Sequence, residues 1–297
     1  MSADRLICDA VLEVVSGARV VDVAAVAGMD PVDLGEAVEV YHSAGLAALQ
    51  RREDHEWYQV RVRFPDWNTA EAVVASRLGP DLDQLQTAGW WFLRKHPHWR
   101  IRLRHADTAS VDEVLDRLVV AGVLTGWQRG LYEPETVAFG GSVALRAVHE
   151  LFCADSRGVL DHVRQGTSGL GRRELSLLLL GAFLAAAELD TFEQGDVFAR
   201  VARLRPTPDS AALPRIREMA ASARILLAAP GAGSSWRDAF VRAGRQLHEA
   251  AVGGQLERGI RAILTHLIIF HWNRIGLSAG AQAVLARAAN AALLPED

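Results

Sequence analysis

The stretch Trp90-Trp91-Phe92-Leu93-Arg94-Lys95-His96-Pro97-His98-Trp99-Arg100-Ile101-Arg102-Leu103-Arg104 decides the fold. Its second half alternates basic and apolar side chains, and a period of two is that of a strand with one face on a core. Trp90–Lys95 and Trp99–His105 read as two strands joined at His96-Pro97-His98, a hairpin. Upstream, Trp57, Gln59, Arg61 and Arg63 alternate with Tyr58, Val60, Val62 and Phe64, which makes another strand. Trp67–Leu85 has helical spacing with an expected break at Gly79-Pro80. Downstream, Val111–Ala121 reads as a helix ended by Gly122, and Leu124–Tyr132 as a last strand. The order strand, helix, strand, strand, helix, strand is that of a ferredoxin-like unit.

Beyond Gly140-Gly141 the pattern is helical throughout. Expected helices are 142–155, 172–189, 191–204, 213–227, 234–251, 256–275 and 279–293. The fold class is therefore α+β: a ferredoxin-like antiparallel sheet unit over 57–140, a helical half over 141–297, and a separate helical module over 1–50. Arg51 to Glu56 reads as a polar linker. The module holds three short helices around Gly28-Met29-Asp30 and looks like a helix-turn-helix. Its last helix carries Asp33, Glu36 and Glu39 with no Lys or Arg up to Gly45, so it would repel a phosphate backbone. Docking of a peptide or partner, or a plain structural cap, are the remaining readings, and no direct nucleic-acid partner is expected.

Composition narrows the chemistry. The 297 residues carry a formal net charge of -4, with no basic bias. Lys95 is the only lysine, which excludes a Schiff base or a phosphate-loop lysine elsewhere. Cys8 and Cys153 lie far apart with no metal-ligand spacing, as in a chain kept in the reducing cytoplasm. The N-terminus has no apolar h-region. The longest apolar run, Leu175–Leu189, is interrupted by Gly181 and Glu188 and is too short to span a bilayer. Gly231-Ala-Gly-Ser-Ser has no preceding strand and no third glycine, so it is not a dinucleotide loop. His96 and His98 flank a proline with no Cys or carboxylate cluster to complete a zinc site. No metal and no organic cofactor is implied.

Two constellations remain. Arg100, Arg102 and Arg104 share one face of their strand, roughly 7 Å apart, while Ile101 and Leu103 point into the core. Such a row either is solvated and paired with neighbouring acids, or binds a carboxylate, which arginine grips with two parallel hydrogen bonds. The second is Thr265–Arg274, closing an apolar helix. His266 and His271 diverge by roughly 140° and cannot serve one metal. His271, Arg274 and Ser278 can share a face. An imidazole there is either a satisfied core group or a proton carrier near neutral pH. Between the two lie Tyr132-Glu-Pro-Glu135, Phe139-Gly140-Gly141 and His149-Glu-Leu-Phe-Cys-Ala-Asp155-Ser156. The paired glycines make either a close approach to a ligand or a tight turn. Asp155-Ser156 reads locally as a helix end or a cap.

Taken in order, Trp90–Lys95, Arg100–Arg104, Tyr132–Glu135, Phe139–Gly141, Leu151-Phe152 with Asp155-Ser156, and His271-x-Asn273-Arg274 resemble the thiopeptide-type bacteriocin biosynthesis family. That family comprises the glutamate-elimination domain of lantibiotic dehydratases and the pyridine synthases of thiopeptide pathways. The resemblance covers Trp57 to Leu294 and omits the N-terminal module. It implies work on a ribosomally made precursor peptide, leader and core. In the elimination branch a separate glutamyl-tRNA-dependent partner glutamylates Ser or Thr, and this enzyme expels glutamate to leave a dehydroamino acid. Arg102 and Arg104 would hold the glutamyl carboxylate and His271 would shuttle the proton. Arg100, Tyr132, Asp155, Ser156, Asn273 and Arg274 would line the substrate. In the pyridine-synthase branch two dehydroalanines join in a formal [4+2] cyclisation with loss of the leader. A non-catalytic scaffold that binds the leader is the third reading. Elimination domains carry Arg-Tyr before the paired glycines, and here Ala138-Phe139 stand instead. Arg100, Arg129 or Arg146 are the candidates to replace that arginine.

Overall fold

The computed structural model describes residues 3–166, 169–229 and 233–294. Gly231 and Ala232 of the Gly-Ala-Gly-Ser-Ser stretch lie outside them. The chain divides into two compact units, Met1–Glu56 and Trp57–Asp297.

The first unit consists of α1 (Ala3–Val15), α2 (Val20–Ala27) and α3 (Pro31–His55). Gly28 ends α2 in the left-handed conformation and donates to the Ala24 carbonyl. Asp30 receives the amide of Val32 at 2.7 Å, one residue after Pro31 opens α3. A small core of Ala10, Val11, Val23, Ala24, Leu34 and Val38 holds the three helices. The expected linker at 51–56 is corrected: nothing between Arg51 and His55 breaks a helix, and α3 runs through it.

In the second unit the strands are β1 (Trp57–Arg63), β2 (Gly89–Lys95), β3 (His98–Arg104) and β4 (Gly126–Gly130), in the antiparallel order β2-β3-β1-β4. This is the ferredoxin-like order expected from the sequence. The register places Trp90, Leu103 and Tyr58 in one row, and Phe92, Ile101 and Val60 in the next. These rows form one face. α5 (Gly79–Asp83) and α6 (Thr108–Val120) cover it, with Trp90 Nε1 donating to Asp83 at 2.8 Å and Tyr58 donating to Asp112. α6 starts where Asp107 accepts the amide of Ser110, earlier than the apolar spacing alone placed it.

The expected break at Gly79-Pro80 does not occur. α4 (Ala70–Val73) continues through a π turn, Val74–Leu78, into α5. Proline lacks an N–H and its ring crowds the carbonyl four residues back, and a widened turn absorbs both effects. Gly79 donates to Val74 in π fashion, and Pro80 has nothing to donate. The Ala75 carbonyl is thereby orphaned, and Arg164 Nε fills it at 2.7 Å. A Cβ on Gly79 would stand 2.8 Å from the Val74 oxygen, so the residue must be glycine for this geometry.

The helical half comprises α7 (Ser142–Gln165), α8 (Arg172–Ala186), α9 (Thr191–Arg203), α10 (Leu213–Ala228), α11 (Ser235–Val252), α12 (Ile260–Arg274) and α13 (Ala279–Leu293). α7 is ten residues longer than expected, because Asp155-Ser156 neither ends nor caps a helix. Both are buried in its middle. One turn on, Gly158 lets Trp236 of α11 lie against the helix backbone; a Cβ there would fall 2.1 Å from the indole. The paired glycines make a turn rather than a ligand approach: both have positive φ, and a Cβ on Gly140 would strike Ile263 of α12 at 2.4 Å. Ser278 caps α13 by accepting from Ala281 and does not share the His271 face. One hydrophobic core runs from the sheet into the helices, with Trp90, Trp91, Trp99 and Trp272 all fully buried.

Candidate functional site

Two polar clusters flank the Trp91 indole. The first stands on the sheet face turned away from α5 and α6. The register aligns Trp91, Arg102 and Gln59 in one row, with Leu93, Arg100 and Arg61 next, and Gly89, Arg104 and Trp57 on the other side. The three arginines of β3 therefore do share one face. Arg102 is 6% exposed, and its guanidinium carbon lies 4.2 Å from the ring centres of both Trp91 and Tyr132. Its Nε donates to Gln59 at 2.8 Å, and Gln59 in turn donates to the Leu131 carbonyl. No carboxylate hydrogen-bonds Arg102 among the described residues. Burial lowers its pKa to about 10, eased by Tyr132 and worsened by Arg100.

The Tyr132 hydroxyl meets His149 Nε2 of α7 at 2.7 Å. Burial first, then the charges of Arg102 and Arg104, push the His149 pKa down to about 3. Trp57 and Trp91 enclose the imidazole, at 4.7 and 6.2 Å between ring centres. Sequence reasoning passed over His149 and Gln59. The signal available for His149 was its place on the inner face of an amphipathic helix, downstream of a buried tyrosine. The linkage sign is unfavourable in acid: below the ordinary histidine value of 6.5 the unfolded chain takes a proton that the folded protein refuses. Stability should fall as pH drops from about 6.5 towards 3, at about 1.4 kcal/mol per pH unit. In urea titrations, the loss between pH 7 and pH 5 should shrink by about 2 kcal/mol in His149→Gln; an unchanged loss would place the acid sensitivity elsewhere.

The second cluster closes the open edge of β2. Ser156 Oγ accepts the Phe92 amide at 3.2 Å and Arg274 Nε donates to the Phe92 carbonyl at 3.3 Å, so α7 and α12 take up edge groups that a further strand would otherwise satisfy. Arg274 also pairs with Asp155, and His271 Nδ1 lies 2.9 Å from the other oxygen of that carboxylate. Trp236 Nε1 donates to the same oxygen at 2.9 Å. His271 Nε2 is 3.0 Å from Ser176 Oγ, which accepts from Trp272 Nε1 at 2.8 Å. Burial would push the Asp155 carboxyl up; the charges and hydrogen bonds of His271 and Arg274 outweigh it and hold it below the usual range. The guanidinium of Arg274 lies 4.6 Å over the Phe152 ring and 5.8 Å from the Trp91 centre, so the two clusters sit back to back. Asn273 points elsewhere and accepts from Gln282 of α13.

The structure thus brings Arg102 and Tyr132 together with His149, with Arg100 and Arg104 on the same face. It brings Asp155, Ser156, Arg274 and His271 together as a second group, and Asn273 joins neither. His271 is 2% exposed with both ring nitrogens occupied. Of the possible substitutes for an arginine at Ala138, Arg129 pairs with Asp112 on the opposite sheet face. Arg146 is exposed on α7. Arg258 reaches the Ala138 carbonyl at 3.2 Å. Burial pushes the Cys153 thiol up to about 12. Among the described residues no group of His, Cys, Asp or Glu could hold a metal ion, and no helix is long and apolar enough to cross a membrane.

The model of the lantibiotic biosynthesis dehydratase C-terminal domain matches residues 57–293, all of the second unit but its end. The chain belongs to that family. Three solved structures share the fold of this lantibiotic dehydratase C-terminal domain. The tRNA-dependent lantibiotic dehydratase MibB from Microbispora sp. 107891 matches with TM-score 0.57 and 17% identity over 80% of this chain. The chain spans only 28% of MibB. The pyridine synthase TbtD from thiomuracin biosynthesis gives TM-score 0.55 and 15% identity, and TsrL gives 0.56 and 15%; each is matched over 97% of its own length. No curated protein sequence matches the chain.

Proposed function

We propose that the protein is a cytoplasmic tailoring enzyme that eliminates glutamate from glutamylated Ser or Thr of a ribosomally made precursor peptide. A separate glutamyl-tRNA-dependent partner supplies the ester. The observation that supports this reading is the arginine face: Arg100, Arg102 and Arg104 share it, and neither Arg100 nor Arg102 pairs with an acidic residue among the described residues. Arg102 and Arg104 hold the glutamyl carboxylate. A base takes the Cα proton, the electrons form the Cα=Cβ bond, the Cβ–O bond breaks, and glutamate leaves as its carboxylate.

The base we favour is His149, oriented by Tyr132. Burial is the largest cause of its depressed basicity; the charges of Arg102 and Arg104 add to it, and a bound carboxylate would offset that second part. His271, the base implied by the family resemblance, is the rival; it is 2% exposed, with both ring nitrogens occupied. The test is mass spectrometry of a glutamylated precursor incubated with this protein. Loss of the glutamate mass, with a thiol-reactive site left behind, is the expected result. His149→Gln should abolish that loss in a folded protein, whereas His271→Ala should reduce it only as far as folding is reduced. The reverse pattern returns proton transfer to His271.

Ala138 favours a second reading, because a pyridine synthase needs no complete glutamate site. If the glutamylated peptide is untouched and a peptide bearing two dehydroalanines loses its leader, that reading replaces the first. Silence with both peptides would leave a peptide-binding scaffold.

A further inference from the structure

The rows of the sheet face beyond Arg102 carry a cost that the fold alone does not explain. Arg61 of β1 stands directly opposite Arg100 of β3, with Leu93 and Gln128 completing the row. Like charges in a cross-strand pair are destabilising. Neither arginine has an acidic partner among the described residues, and Lys95, His98 and Arg63 extend the same face. Arg61 Nε is buried without a hydrogen-bond partner, close against the Gly130 backbone. A Cβ on Gly130 would come within 3.4 Å of that nitrogen and 2.8 Å of Gln59, so this strand-end glycine leaves the room the two side chains use.

We infer that Arg61 and Arg100 form a second carboxylate site, reading an acidic residue of the peptide two positions from the one held at Arg102. The class follows from the chemistry: two arginines in one cross-strand pair, neither with an acidic partner among the described residues, suit a carboxylate, which a guanidinium grips with paired hydrogen bonds. The spacing follows from the sheet. Rows on one face lie roughly 7 Å apart, and an extended peptide covers that distance in two residues. The acidic side chain relieves the Arg61–Arg100 repulsion. The site is a specificity determinant for the reaction proposed above, and its two-residue spacing rests on that reading.

The test uses the full chain and dye-labelled peptides that carry an O-glutamyl serine, with Glu or Gln two residues before or after it. By fluorescence anisotropy, one Glu placement should bind about tenfold tighter than its Gln counterpart. Arg61→Gln should bring that ratio to about one without lowering the melting temperature, because it removes a like charge. Arg61→Lys, which keeps the charge and loses the fork, should leave part of the preference. Equal binding of Glu and Gln peptides by the native protein, or a preference that survives Arg61→Gln, overturns the inference. Arg102→Met separates the two readings: it should weaken all glutamylated peptides alike and leave the Glu/Gln ratio intact. If the glutamyl group adds nothing while the ratio still depends on Arg61, the elimination reading falls and this site stands.

Discussion

Arg274→Leu should lower the unfolding free energy by about 3–5 kcal/mol, the largest stability effect expected of any single change in the second unit. The side chain is fully buried and serves three neighbours at once. It neutralises Asp155, caps the Phe92 carbonyl on the edge of β2, and lies over Phe152. Leucine fills part of the volume and supplies none of this. The Asp155 carboxylate would keep His271 and Trp236 but lose its permanent charge partner in the core. A signature beyond the loss itself is its pH dependence. The folded Asp155 pKa lies below the unfolded value, so its contribution is present above about pH 4 and is lost as pH falls through the folded value. Urea titration across pH 3 to 7 should show this acid transition moved upward in the variant. Asp155→Asn, Arg274→Leu together should recover part of the loss, since no unpaired charge remains. A single variant as stable as the native protein would mean that the pair contributes nothing to the fold.

Arg102→Met should have the opposite profile: turnover on glutamylated peptide down by about 10²–10³-fold, with the melting temperature unchanged or raised. Arg102 is nearly as buried as Arg274, yet its partners are a glutamine oxygen and two ring faces, with no carboxylate in hydrogen-bond reach among the described residues. Its burial is a net cost, visible in the pKa of about 10. Methionine can occupy the slot between Trp91 and Tyr132 and removes that cost. Under the proposed function, this buried charge serves the substrate carboxylate rather than the stability of the fold. Steady-state kinetics beside a thermal melt decides the matter, and a variant that is both active and less stable would make Arg102 a structural residue.

The contrast between these two arginines also marks where the sequence was legible. Alternation in Trp57–Phe64 and Trp99–Arg104, with helical spacing between, was enough for the strand order and for the shared face of Arg100, Arg102 and Arg104. These are local periodicities, and a pleated strand converts them directly into sides. The change of period at Trp57 is local too, and the second compact unit begins there. Residues that often end helices misled at two places. Gly79-Pro80 lies inside a helix because a π turn and the distant Arg164 absorb the missing donor. Asp155-Ser156 resembles a helix end, but lies mid-helix because partners more than 60 residues away satisfy both side chains.

The sequence by itself determined the α+β class, the family and the row of arginines, since each depends on neighbours along the chain. Only the tertiary structure decided which cluster each polar residue joins. His149 meets Tyr132 and Arg102, while His271 is enclosed with Asp155, Ser176 and Trp236. The physical reason is that the protonation and reach of a buried imidazole depend on charges and rings contributed by other elements, and those meet only when the helices close over the sheet.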